Sequence, residues 1–141
     1  TLSLHDALPI FAPFTLRLGG FHAFPSLHVP RVLFVEVDGD RAALFSCQAA
    51  VEAALRPLGY PSEERPYVPH LTLARVGERV GLVDKRLLGE VVSRAKPPPA
   101  LPFAVESVHL MQSELHPTGA RYTRLATVPL GRGVRQTDVQ D

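Results

Sequence analysis

The stretch Pro69-His70-Leu71-Thr72-Leu73-Ala74-Arg75 constrains the fold more than any other part of this chain. Its polar and apolar residues alternate over His70 to Leu73, which is the period of a β-strand and not that of an amphipathic helix. On a strand, His70 and Thr72 share one face and Leu71 and Leu73 share the other. The leucines are expected in a core. The imidazole and the hydroxyl are expected side by side, where one ligand can meet both. Strict alternation sends Arg75 to the leucine face, and it joins His70 only if the strand ends or bulges near Ala74. Otherwise Arg75 is a solvated or ion-paired residue at a strand end.

The elements around this strand follow from periodicity and from the breakers between them. Phe14 to Leu18 alternates and reads as a strand closed by Gly19-Gly20. Val32 to Val37 reads as a mostly apolar strand. Asp38-Gly39-Asp40 is a turn, with Asp40 placed to cap a helix. Ala43, Leu44, Cys47, Ala50, Val51, Ala54 and Leu55 recur at helical spacing, and Pro57 and Gly59 end that helix. Pro61 to Pro69 is a loop. The spacing predicts a second helix from Leu82 to Arg94, with Val83, Leu87, Val91 and Ala95 on one side, stopped by Pro97-Pro98-Pro99. Phe103 to Leu110 and Tyr122 to Val128 read as the last strands, joined by a loop containing Pro117-Thr118-Gly119. Gly131 to Asp141 reads as a disordered polar tail. This order predicts an α+β fold, an antiparallel sheet with helices packed on one face.

Composition excludes several classes. A chain of 141 residues is one ordinary domain, and 45% hydrophobic residues suffice for a packed core. No apolar run approaches the roughly 18 residues of a membrane span, and no charged-then-apolar signal pattern appears. The single Cys47 excludes an internal disulfide and fits a reducing cytoplasm. In its helical apolar pattern it reads as a small core residue rather than a nucleophile. A net charge of +1 gives no bulk capture of nucleic acid, so any RNA contact must be local, at one end or one phosphate.

A histidine can act as a general acid or base near neutral pH, and a neighbouring hydroxyl can donate to a phosphoryl oxygen. The other histidines do not repeat the pattern. His5, His22, His28 and His109 have no threonine two residues on. His116 has Thr118, but in the expected Pro-Gly turn, and reads as coincidence. His22 and His28 have no accompanying cysteine or carboxylate ligand pattern, so no metal site is expected. No glycine-rich phosphate loop, HExxH, CxxC or EF-hand pattern occurs.

Further residues extend the pattern in order along the chain: Phe24-Pro25, Arg31-Val32-Leu33-Phe34, Pro69 before the histidine, Ala74-Arg75 after it, Ser113-Glu114-Leu115, Pro117-Thr118-Gly119-Ala120 and Tyr122. With His70 and Thr72 they resemble the 2H phosphoesterase superfamily, and most fully its bacterial RNA 2',3'-cyclic phosphodiesterase (2'-5' RNA ligase-like) family, over residues 11–130. The resemblance implies the C-terminal portion of a bilobal fold. It implies a metal-free and cofactor-free mechanism in which two histidines flank the phosphate, one deprotonating water and one protonating the leaving ribose oxygen. His70 would be the proton acceptor, Thr72 a catalytic and phosphate-binding hydroxyl, and Arg75 a phosphate-binding cation. The implied partners are RNA 2',3'-cyclic phosphate ends or small cyclic nucleotides, with no membrane and a monomeric parent.

That family carries the His-x-Thr motif twice and this chain carries it once. Residues 11–130 are therefore expected to be a partial domain that is inactive alone. Thr1 to Ile10 resemble a translated sequencing adapter and are expected to be foreign, the alternative being a short natural helix. Two other readings stay open: a non-catalytic RNA-end or nucleotide-binding module, and a structural or protein-interaction domain in which His70 is incidental.

Overall fold

The computed structural model describes residues 11–131, so the expectations for Thr1–Ile10 and for the tail beyond Gly131 lie outside it. The chain divides into two compact units.

One unit comprises residues 15–39 and 66–103. Its sheet is built from β1 (Phe14–Phe24), β2 (Val32–Gly39), β3 (His70–Arg75) and β4 (Phe103–Val105), in the order β3-β2-β1-β4, with the unit boundaries falling just inside β1 and β4, after Phe14 and after Phe103. The β1–β2 and β2–β3 pairs are antiparallel. β2 lies between two strands; Leu33, Val35 and Val37 make one face apolar, and the other runs from apolar Val32 and Phe34 to charged Glu36 and Asp38. Leu16, Ala23, Phe34, Val35 and Val37 are buried, and Pro30 is fully buried in the loop that leads into β2. β3 is an edge strand, and all six of its residues are exposed.

Three expectations change here. Gly19-Gly20 does not close β1. The strand runs on to Phe24, and the pairing jumps from Leu18↔Val37 to Phe21↔Val35, so two glycines oppose the single residue Glu36 in a β-bulge. A Cβ on Gly19 would sit 3.2 Å from the Glu36 Cβ, close enough that Glu36 would have to give by a few tenths of an ångström. Leu71 and Leu73 are not in a core; they are 49% and 58% exposed. The second helix, α2 (Leu82–Arg94), has the expected span but turns a different side inward. Gly89 is buried and Lys85, Leu88 and Val92 are half-buried, whereas Val83, Leu87, Val91 and Ala95 are exposed. Gly89 explains the rotation, because a Cβ there would run into the backbone carbonyl of Leu27. The helix approaches the β1–β2 connection along its glycine.

The other unit's described residues are 11–14, 40–65 and 104–131. The helix α1 (Arg41–Leu55) starts as the sequence predicts: the Asp40 carboxylate accepts from the Ala43 amide at 3.1 Å. Its predicted stripe is the inward one, with Cys47 and Ala54 buried and Ala43, Leu44, Ala50, Val51 and Leu55 half-buried. A 3₁₀ turn at Arg56–Leu58 and a left-handed Gly59 (φ 93°) end it. The expected strand Phe103 to Leu110 is two strands that part at Glu106. The second, β5 (Ser107–His116), pairs with β6 (Gly119–Pro129) as a hairpin whose only turn residues are Pro117 and Thr118. The hairpin is longer than predicted: β5 runs on past Leu110 to His116, and Gly119, at φ 124°, already belongs to the returning strand. Antiparallel strands and two helices make this an α+β fold.

Candidate functional site

The register of β3 on β2 decides what faces what. Residues directly opposed in an antiparallel pair lie on the same side of the sheet. His70 opposes Glu36 and Thr72 opposes Phe34, so His70 and Thr72 share one face, as alternation predicts. The pairing then slips: Phe34 opposes Thr72, but Leu33 opposes Ala74, leaving Leu73 as an extra residue. Beyond the slip, Arg75 opposes Val32. Val32, Phe34 and Glu36 are alternate residues of β2 and lie on one face. The bulge therefore carries Arg75 round to the His70 side, against the face that strict alternation gives it.

The His70 ring is held by its own strand entry. Its Nδ1 lies 2.7 Å from the carbonyl oxygen of Val68. A carbonyl only accepts, so Nδ1 carries the proton and donates it. In the neutral ring the Nε2 lone pair is left open on an exposed side chain. Two aromatic rings fix the orientation further. Phe24 meets His70 edge-on at 5.0 Å and 90°, and Phe34 meets it at 5.3 Å and 65°. Phe24 and Phe34 stack on each other at 4.2 Å. Among the described residues, no side-chain hydrogen bond engages the Thr72 hydroxyl or the Arg75 guanidinium. The arrangement thus offers a proton acceptor, a hydroxyl donor and a cation on one open face, which suits an anionic phosphoryl group.

Three more residues belong to this face and were not singled out from the sequence. Glu36 stands opposite His70, and His22 on β1 stands opposite Phe34. Arg17 stands opposite Asp38, further along the same side. Only the sheet register brings them together, and nothing in their local sequence signals it. The other described histidines have settings of their own. His109 is flanked by Thr127 Oγ1 at 3.0 Å and Ser107 Oγ at 3.3 Å on the β5–β6 hairpin. His116 lies 3.5 Å from the Glu114 carboxylate. His28 lines an open groove of about 410 Å³ with Val29, Leu82, Val83, Arg86 and Leu87. Cys47 is buried, and burial pushes its thiol pKa up, which leaves it a poor nucleophile. Among the described residues, no three histidine, cysteine, aspartate or glutamate side chains gather where a metal could be held. No helix among them is long and apolar enough to cross a membrane.

The chain is 34% identical over 125 residues to the RNA 2',3'-cyclic phosphodiesterase of Thermus thermophilus, covering 86% of this chain and 58% of that protein. It is 29% identical over 120 residues to the RNA 2',3'-cyclic phosphodiesterase of Methanothermobacter thermautotrophicus, covering 85% and 62%. The crystal structure of TT0787 of Thermus thermophilus superposes with a TM-score of 0.66 and 28% identity, over 91% of this chain and 66% of that one. The chain thus spans less than two thirds of the length of these curated relatives. A sequence model of the 2'-5' RNA ligase superfamily matches residues 3–117, a span that contains every strand of the four-stranded sheet and begins inside the segment expected to be foreign. With His70, Thr72 and Arg75 inside that match and the fold shared with TT0787, the chain belongs to the 2'-5' RNA ligase superfamily.

Proposed function

We propose that the protein these residues belong to hydrolyses RNA 2',3'-cyclic phosphate ends to 2'-phosphomonoesters in the cytoplasm, by two-histidine acid–base catalysis without a metal. The observation that carries this reading is the bond from His70 Nδ1 to the Val68 carbonyl, which leaves Nε2 as an exposed acceptor beside Thr72. The names of the relatives support the substrate class.

In this mechanism Nε2 of His70 takes a proton from water as the water oxygen bonds to phosphorus. The bond from phosphorus to O3' breaks, and a second general acid protonates O3', so the phosphate stays on O2'. The Thr72 hydroxyl donates to a non-bridging oxygen, and Arg75 balances the charge that builds on the phosphorane. Of the two His-x-Thr triplets among the described residues, His70-Leu71-Thr72 lies on a strand, whereas His116 and Thr118 lie at the turn of the β5–β6 hairpin. The general acid is then a second histidine from the part of the relatives' length that this chain does not span, and the chain alone is inactive.

The test joins a family half bearing the first motif ahead of Phe11 and measures hydrolysis of a nucleoside 2',3'-cyclic phosphate in EDTA. The joined protein turns over; the 141-residue chain does not. His70→Ala in the joined protein lowers turnover by about 10²-fold or more, and Thr72→Ala lowers it less. A requirement for a divalent metal, or activity that survives His70→Ala, overturns the reading. Nucleotide binding without turnover favours a non-catalytic RNA-end module.

A further inference from the structure

Among the described residues of its sheet, His22 is the one other histidine on the His70 face, and its surroundings give it a complementary character. It stands opposite Phe34, which stands opposite Thr72, so the three residues form a row across β1, β2 and β3. The His22 ring lies nearly parallel to Phe34, at 5.7 Å and 14°. Phe34 itself is 3% exposed, covered by the rings of His22, Phe24 and His70. It cannot offer a face to a ligand. His22 can, being exposed on top of it.

The proton of His22 sits opposite to that of His70. The Ala23 amide donates to His22 Nδ1 at 2.8 Å, and the Ala23 carbonyl oxygen is 3.2 Å away. The amide contact is the shorter of the two, and with Nδ1 as its acceptor the proton of the neutral ring is assigned to Nε2. His70 therefore presents an acceptor and His22 presents a flat ring with a donor at its rim. Two strand spacings, about 10 Å, separate His22 from Thr72 in the row.

We propose that His22 is a base-contacting residue: it takes the nucleobase of a nucleotide whose phosphate is held at His70, Thr72 and Arg75. This rests on the phosphate site proposed above and adds a specificity contact to it. A base fits better there than a second phosphate. Glu36 lies on the same face between β1 and β3, and beyond it Asp38 is opposite Arg17, so the charged residue next to Phe34 along that face of β2 is negative. An uncharged ring stacks on the imidazole and meets the Nε2 hydrogen with a ring nitrogen or carbonyl oxygen.

The test uses the 141-residue chain and follows the imidazole resonances of His22 and His70 by NMR during titration with inorganic phosphate and, separately, with adenosine 2'-monophosphate. Phosphate is expected to shift His70 and leave His22 in place, whereas the nucleotide shifts both. His22→Ala is expected to weaken the nucleotide about 5- to 30-fold and leave phosphate binding unchanged, and His22→Phe to recover most of the loss through stacking. If both ligands shift His70 while His22 stays silent and His22→Ala binds the nucleotide as well as the unaltered chain, the base contact is wrong and the phosphate site stands. If neither ligand shifts His70, the phosphate site fails and the base contact fails with it.

Discussion

β2 and β3 are neighbours in one sheet and are built for opposite purposes. β2 buries Phe34, Val35 and Val37 at 3%, 4% and 7% exposure. β3 buries nothing: its six residues are exposed, Leu71 and Leu73 among them. The candidate phosphate site is thus proposed on the strand that contributes least to the core. β3 takes its place from the ladder to β2, and its side chains stay open to a ligand. Phe34 is where the two roles meet. It is a core residue whose ring also supports the rings of His70 and His22.

The largest expected effect follows from that contact. Phe34→Ala removes a fully packed ring and should cost about 3–5 kcal/mol of stability in denaturant unfolding. Its cross-strand partner gives the opposite result: Thr72→Ala should change stability by less than about 0.5 kcal/mol while weakening phosphate binding. If Thr72→Ala unfolds the chain and Phe34→Ala does not, the division between the strands is wrong. Next in size is Gly89→Ala, which drives a methyl into the Leu27 carbonyl and should destabilise by about 1–3 kcal/mol. Gly20→Ala, with open space around its position, should be near neutral. Asp40→Ala should cost about 1 kcal/mol by removing the cap of α1.

The smallest effect concerns Cys47. Its folded-state pKa is raised by burial, so the thiol stays protonated in the native chain where an unfolded thiol would already ionise. Whatever stability this contributes is complete below the ordinary thiol range and is lost as pH rises through the raised value. Iodoacetamide should therefore alkylate Cys47 much more slowly in the native chain than in the denatured chain at about pH 8–9. Equal rates would contradict its burial.

Where one periodicity rules, the sequence is legible. The alternation at His70 to Leu73 marks a strand and puts His70 and Thr72 on one side, and the structure agrees. The Asp40 cap and the α1 stripe are local features, and both stand in the structure as the sequence predicts. What cannot be read depends on partners. Gly19-Gly20 looks like a turn in isolation and is a bulge because Glu36 lies opposite. The apolar side of α2 looks like its buried side. A single glycine, small enough to meet the Leu27 backbone, turns the helix the other way. The exposure of Leu71 and Leu73 shows that alternation fixes sidedness and not burial. Arg75 is the open case, since one extra residue reverses every side chain beyond it, and the slip at Leu73 decides it.

That slip is the central claim about the site, and a double-mutant cycle on Thr72 and Arg75 tests it most directly. The affinity of the chain for adenosine 2'-monophosphate is measured for Thr72→Ala, Arg75→Ala and the double variant. If the bulge sets both groups on one phosphate, Arg75→Ala weakens binding about 10-fold or more. The double variant then loses less than the sum of the two single losses, with a coupling of about 0.5–3 kcal/mol. If Arg75→Ala binds the nucleotide as the unaltered chain does, Arg75 lies on the far face and the shared phosphate site is wrong.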